Sequence, residues 1–179
     1  NGSGKSTLMK DLLGILKPTE GEVIINGQNT KKTDISKLIL DIGYVFQNPD
    51  NQLFCDTVRE EIEFGLKNNK YPQEEIDKLT DRALDIVGLK ERQKEHPFSL
   101  SRGERQRLAV ATMLVSNPKI IMLDEPTTGQ DWIGAKHMMS LVSELHKRGH
   151  TIIMITHDMH IVTEYAERVV VMHGGRVVA

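Results

Sequence analysis

A single cysteine, Cys55, stands in 179 residues, which excludes a disulfide framework and suits a reducing compartment. Long apolar runs are missing too. The longest, Ile120–Leu123, Ile152–Ile155 and Val169–Met172, are strand-sized, well short of the roughly 20 residues that a membrane helix needs. The opening residues do not read as a signal peptide, so any service to a membrane is expected to run through a partner. An excess of positive charge is absent as well. The formal net charge is −2, which argues against nucleic-acid binding as the main business, since that usually needs a basic surface. Without repeats, low-complexity tracts or long linkers, residues 1–179 read as one domain. Both ends read as cut: Asn1 already lies inside a glycine-rich loop, and Arg176–Ala179 reads as a strand just beginning. That domain is therefore expected to be partial.

What is present alternates between strand and helix. Strands are predicted over Glu22–Asn26, Ile42–Gln47, Lys119–Asp124, Thr151–Thr156 and Arg168–Met172. The last three are apolar on both faces, the pattern of buried parallel strands. A helix is predicted from Lys5 to Leu16, with Leu8, Leu12 and Leu16 on its apolar stripe and Pro18 as its stop. Thr57 and Glu60 have the spacing of a capping box, opening a helix that turns Ile62 and Leu66 inward. Pro72 and Gly88 bracket another helix, with Ile76, Leu79, Ala83 and Val87 on its face. Asp131–Arg148 is a further long one, ended by Gly149. The fold is therefore read as α/β: a mainly parallel sheet flanked by helices, with a helical subdomain inserted over about residues 57–117.

Asn1-Gly2-Ser3-Gly4-Lys5-Ser6-Thr7 has the pattern of the tail of a P-loop. Gly2 and Gly4 allow backbone N–H groups to wrap phosphates without β-carbon clashes. The helix starting near Lys5 aims its positive dipole end at them. Lys5 is placed to reach the β- and γ-phosphates, and the Ser6 hydroxyl to coordinate Mg²⁺. A serine–glycine turn before a helix is the plainer alternative, but it leaves the lysine and both hydroxyls unexplained. Farther on, the apolar run from Lys119 ends in Asp124 and Glu125. At the carboxyl edge of a parallel sheet such acids project toward a ligand. Asp124 suits Mg²⁺, through water, and Glu125 suits a general base acting on the attacking water. Either acid alone could equally cap a helix; it is the P-loop upstream that favours catalysis. His157 ends the next strand, where it is placed to sense a γ-phosphate, and Gln47 ends another, where it either touches the metal or the water or merely caps the strand.

Leu100-Ser101-Arg102-Gly103-Glu104-Arg105-Gln106-Arg107-Leu108 resembles the signature of ATP-binding-cassette (ABC) ATPases, L-S-G-G-Q followed by a basic helix. With the P-loop remnant, Gln47, the Asp124–Glu125 pair, Asp131 and His157, it makes an ordered set that covers nearly the whole chain. The resemblance implies a P-loop NTPase that takes ATP and Mg²⁺. It implies that residues Asn1 to Thr7 bind the nucleotide, that Ser6, Gln47 and Asp124 serve the metal, and that Glu125, His157 and Gln47 serve hydrolysis. It also implies two domains facing head to tail, with ATP held between one P-loop and the other domain's signature helix. There the Ser101 hydroxyl, the Gly103 N–H and the helix dipole would meet the γ-phosphate, and Asp131 would touch the partner's P-loop. Two residues depart from the pattern: Arg102 replaces a glycine and Glu104 the glutamine. Ser101-x-x-Glu104 is also a capping box, so Glu104 is expected to turn back toward its own backbone.

Gln47-Asn48-Pro49-Asp50-Asn51-Gln52-Leu53-Phe54 looks like the corresponding loop of energy-coupling-factor importers and their cobalt and nickel relatives. That likeness implies an ATPase on the cytoplasmic face of the cell membrane, docked on an integral membrane transport subunit. Its second ATPase domain would be an identical chain, a homologous one or a fused half. Leu53 and Phe54 either stand out as docking anchors or pack among the helices. Other ABC transporter classes, DNA-repair or chromosome-organising ATPases, and ribosome-associated or regulatory ones share this engine. Repair enzymes carry coiled coils or zinc modules between the glutamine loop and the signature. The about 54 residues between Gln47 and Ser101 hold neither heptads nor cysteine pairs.

Overall fold

The computed structural model of the chain describes residues 2–179. Along the chain, α1 (Lys5–Leu12) leads to a hairpin of β1 (Ile24–Ile25) and β2 (Gln28–Asn29), then to α2 (Ile35–Asp41) and β3 (Ile42–Val45). Three helices follow, α3 (Val58–Asn68), α4 (Gln73–Val87) and α5 (Arg102–Leu114). The rest is β4 (Ile120–Asp124), α6 (Trp132–Lys147), β5 (Thr151–Ile155), α7 (Met159–Tyr165) and a closing hairpin, β6 (Met172–His173) and β7 (Arg176–Val177).

The apolar runs set the centre. β3, β4 and β5 pair in that order as a parallel sheet, with Ile42 opposite Ile120, Val45 opposite Leu123, and Asp124 opposite Ile155. The three strands of this sheet thus end at one edge, and Gln47, Glu125 and His157 follow those ends. Alternation along β4 splits its side chains between two faces. Ile121 and Leu123 join the core built with α3, α4, α5 and α6, while Met122 joins Met9, Leu13, Ile25, Ile42 and Ile155 on the other side. Each fully buried side chain of this kind contributes about 1.5–3 kcal/mol.

Local signals place the helices. The Thr57 hydroxyl accepts the Glu60 N–H at 3.2 Å and the Glu60 carboxylate accepts the Thr57 N–H at 3.1 Å, so the capping box forms. Gly88 ends α4 at a φ of +69°, a left-handed turn that favours glycine. Arg59 fastens α3 to α4 by reaching Asp77 and Asp81, both at 2.8 Å. No strand occurs between residues 57 and 117.

Three expectations need correction. The first helix ends at Leu12, not Leu16, because the chain turns at Gly14. A β-carbon there would stand 2.7 Å from Leu38 Cδ1. Its buried stripe is consequently Met9 and Leu13, while Leu8 and Leu16 are exposed. The strand expected over Glu22–Asn26 is only Ile24–Ile25, since Asn26 and Gly27 take positive φ and form a two-residue hairpin turn. Arg168–Met172 is not a buried parallel strand. Val169, Val170 and Val171 are exposed, and the run folds back through Gly174 and Gly175, so that Val171 exchanges backbone hydrogen bonds with Val178 and Ala179 at 2.8 Å. A strand needs a neighbouring ladder, and among the described residues β5 pairs only with β4.

Leu53 and Phe54 part company. Leu53 is buried, whereas Phe54 is 63% exposed and meets Phe64 edge-to-face at 4.7 Å.

Candidate active site

Gly2 and Gly4 adopt φ values of +82° and +92°, where residues with a β-carbon rarely sit. The loop thereby curls into the start of α1. Gly4 is the N-cap of that helix, no side chain caps it, and no acid lies in its first turn, so its leading N–H groups are left for a ligand. Lys5 Nζ donates to Ser3 Oγ at 2.9 Å, which holds the ammonium over the loop. Gly2 to Thr7 line one cleft of about 670 Å³ together with Gln47, Asp124, Glu125, Ile155 and His157.

The acids are supported differently. Asp124 is still in the β4 ladder, half-buried. Burial pushes its carboxyl above the ordinary aspartate value, and the Tyr44 hydroxyl, donating at 3.2 Å, and Lys5 offset this only in part. The Tyr44 phenol is itself pushed up to about 12 by burial and by Asp124, and so remains a donor. Glu125 leaves the strand with a φ of +47° while its N–H still donates to the Ile155 carbonyl at 2.9 Å. For a residue with a side chain this conformation costs on the order of 1–3 kcal/mol. It turns the carboxylate sideways, where Oε2 accepts from Gln47 Nε2 at 3.1 Å and Thr128 Oγ1 at 3.0 Å. Glu125 Oε1 lies 3.2 Å from His157 Nδ1, and the His157 side chain is largely exposed.

Ser101, Gly103 and Asp131 lie outside this cleft, in a neighbourhood of their own. Ser101 caps α5, its hydroxyl accepting the Glu104 N–H at 3.3 Å. Glu104 does turn back: its carboxylate accepts the Ser101 N–H at 2.8 Å and pairs with Arg92 at 2.7 Å. Arg102 lies against the Thr127–Asp131 loop, since a β-carbon on Gly129 would stand 3.0 Å from its Cζ, and one on Gly103 would stand 3.1 Å from Gln130 Oε1. Asp131 caps α6, accepting the Gly134 N–H at 2.7 Å. Asn1 falls outside the described residues. Tyr44, Arg92 and Gln106 were not legible as neighbours of these groups, because their partners lie 12 to 80 residues away and no spacing rule announces them. Thr128 is three residues from its partner Glu125, but only the turn after β4 aims its hydroxyl at that carboxylate.

The donors fit a divalent cation that arrives with phosphate. The Ser6 hydroxyl and the Asp124 carboxylate are hard oxygen ligands of the kind Mg²⁺ takes. Among the described residues no group of three or more His, Cys, Asp or Glu side chains could hold a metal; Mg²⁺ usually takes one or two carboxylates together with waters and substrate phosphate oxygens.

Known proteins are similar to this chain at the level of family, sequence and fold. The ABC transporter family profile matches residues 1–128. A protein of Caldanaerobacter subterraneus subsp. tengcongensis, provisionally described as an ABC transporter ATP-binding protein, is 51% identical over 99% of this chain. The energy-coupling factor transporter ATP-binding protein EcfA of Methanocaldococcus jannaschii is 44% identical over 99% of this chain and 64% of its own length. The chain spans about a third of the first curated relatives it matches, 31%, 30% and 36% of their lengths. Among solved structures, cbiO1 of Clostridium perfringens, part of the ABC transporter complex cbiONQ, superposes with a TM-score of 0.93 at 43% identity, covering 100% of this chain and 72% of that one. A dimeric ATP-binding cassette in a post-hydrolysis state with ADP and Pi superposes at 0.85 with 34% identity, covering 99% of this chain and 79% of that one. A family match over the first 128 residues and superposition on two solved cassettes along almost the whole chain make it an ATP-binding domain of the ABC transporter family.

Proposed function

We propose that the full-length protein hydrolyses Mg·ATP in this cleft and so powers a membrane importer of the energy-coupling-factor type. The convergence of Lys5, Gln47, Asp124, Glu125 and His157 on one glycine-lined cleft carries the reading. The loop N–H groups and Lys5 bind and orient the β- and γ-phosphates. Ser6 and Asp124 would hold the metal, with Gln47 close by, and a bound Mg²⁺ would supply positive charge against the phosphates. Glu125 acts as general base. Gln47 and Thr128 occupy its Oε2, which leaves Oε1 to take the proton of the attacking water, with His157 beside it. The exposed His157 ring is placed to touch the γ-phosphate.

Ser101, Gly103 and Asp131 act in trans. They sit away from their own cleft, as required of groups that meet the nucleotide of a second ATPase domain, whether an identical, homologous or fused one. Residues 57–117 form the helical subdomain that presents them. An integral membrane transport subunit docks on the exposed Phe54–Phe64 pair beside the Gln47 loop. No described helix is long and apolar enough to cross a membrane, so that subunit would anchor the protein at the cytoplasmic face. The likeness to EcfA and cbiO1 supports the energy-coupling-factor type, and the resemblance of the Gln47–Phe54 loop to those importers favours vitamins or cobalt and nickel ions as cargo; no nucleic acid is involved.

Glu125→Gln in the full-length protein tests the chemistry. ATP affinity should stay within about threefold and turnover should fall by about 100-fold or more. Normal turnover would refute the general-base role.

A further inference from the structure

The amide of Gln106 is almost completely enclosed, 2% exposed, yet Gln106 belongs to neither the cleft nor the start of α5. Burying an amide among apolar side chains is costly unless it finds a partner. Its Nε2 donates to the Phe46 carbonyl at 3.0 Å. That carbonyl lies just past the β3 ladder, which ends with Val45 opposite Leu123. The very next residue is Gln47, whose own amide donates to Glu125 Oε2 at 3.1 Å. A continuous path therefore runs from α5, through one backbone carbonyl, to the acid at the end of β4.

The same helix face grips the loop farther along. Gln52 Nε2 donates to the Ala109 carbonyl at 3.2 Å and to Thr112 Oγ1 at 2.9 Å. Arg105 Nε stands 2.8 Å from Asp50 Oδ1 as an ion pair. Gln106, Ala109 and Thr112 recur at helical spacing, so they make one line of attachment. The loop from Phe46 to Gln52 is thus fastened to α5 through Phe46, Asp50 and Gln52.

We propose that Gln106 is a positioning residue that sets Gln47 against Glu125, so that the orientation of α5 controls the readiness of the acid in the same chain. This rests on the reading of Glu125 as the base and Ser101 as a group acting in trans. If Ser101, at the start of α5, engages one nucleotide, then Glu125 at the other nucleotide is reset through Gln106. One chain thereby couples the two composite sites.

The test is steady-state ATP hydrolysis by the full-length protein with Mg²⁺. Gln106→Met keeps the side chain's length and removes the donor. The expected result is a kcat lowered by about tenfold with KM for ATP within about twofold. Gln52→Met, at a part-exposed position, should lower kcat by about threefold with the same KM. A merely structural role would lower stability and leave the kcat of the folded fraction unchanged. Unchanged kcat in folded Gln106→Met overturns the proposal, as does a change confined to KM. Should that variant fail to fold, an unchanged kcat in Gln52→Met overturns it instead. Absence of hydrolysis by the wild-type protein would instead sink the ATPase reading itself.

Discussion

Two helices in this chain open toward places where the proposed function puts a phosphate, and they are finished in opposite ways. α1 begins with Gly4, has no side-chain cap and no acid in its first turn, and has a lysine as its first residue. α5 begins with Ser101, closes a capping box on Glu104 and leans that carboxylate on Arg92. The first start is open, with N–H groups and dipole free to be spent on an anion. The second has been satisfied by its own chain, and it keeps a negative charge where a phosphate would come. The contrast teaches that the two sides of the proposed sandwich are unequal. In the proposed sandwich, affinity would reside at α1, and α5 would contribute orientation and timing.

The largest effect should come from the open start. Lys5→Ala should weaken ATP binding to the full-length protein by about 100-fold, measured by calorimetry, because a charged hydrogen bond to phosphate is lost. Unchanged affinity would erase the contrast. A smaller effect is expected at the closed start. Arg92→Ala leaves Glu104 without its cation, and the trans contact should weaken, raising KM for ATP by about threefold to tenfold. Glu104→Gln in the same background should restore KM, since a glutamine keeps the capping box and removes the charge. Failure of that rescue would assign Arg92 to its other partner, Glu95, and to stability alone.

The smallest effect is in pH. Burial holds the Asp124 carboxyl above its ordinary value. Glu104 goes the other way: against the upward push of burial, the Ser101 hydroxyl and N–H and the Arg92 guanidinium hold its carboxyl below the ordinary value. A raised carboxyl takes up its proton at a higher pH, and the protonated form no longer binds a cation. Mg·ATP affinity should therefore begin to fall on acidification before an ordinary aspartate would titrate, while the α5 start keeps its charge. Asp124→Asn should remove that early loss. Calorimetry across the acid range gives the answer, and a titration identical in the variant would count against it.

How much of this was legible in the sequence depended on distance along the chain. The capping boxes at Thr57 and Ser101, the turn at Gly88 and the glycine loop around Lys5 follow from neighbours a few residues apart, and the structure places them as read. The sheet was legible where a run was apolar on both faces and had a partner, as for β4 and β5. Val169–Val171 carried the same apolar signal and failed, because a strand is made by whatever lies beside it. Leu53 and Phe54 differ in burial although they are adjacent and similarly apolar, which no local pattern encodes. The supports of the site are longer-ranged still. Tyr44 reaches Asp124 across 80 residues of sequence and Gln106 reaches Phe46 across 60. Such contacts follow from the packing of elements whose mutual placement only the fold supplies.

Glu125 sits in a backbone shape that glycine or asparagine would enter more easily. A screen for heat resistance alone would therefore drift toward those residues at this position, and, with Glu125 as the proposed base, its winners would be sturdier proteins that have lost turnover. The proposed role of Glu125 thus sets turnover against toughness at a single torsion angle, and hardening this domain without losing turnover would mean leaving that residue as it is.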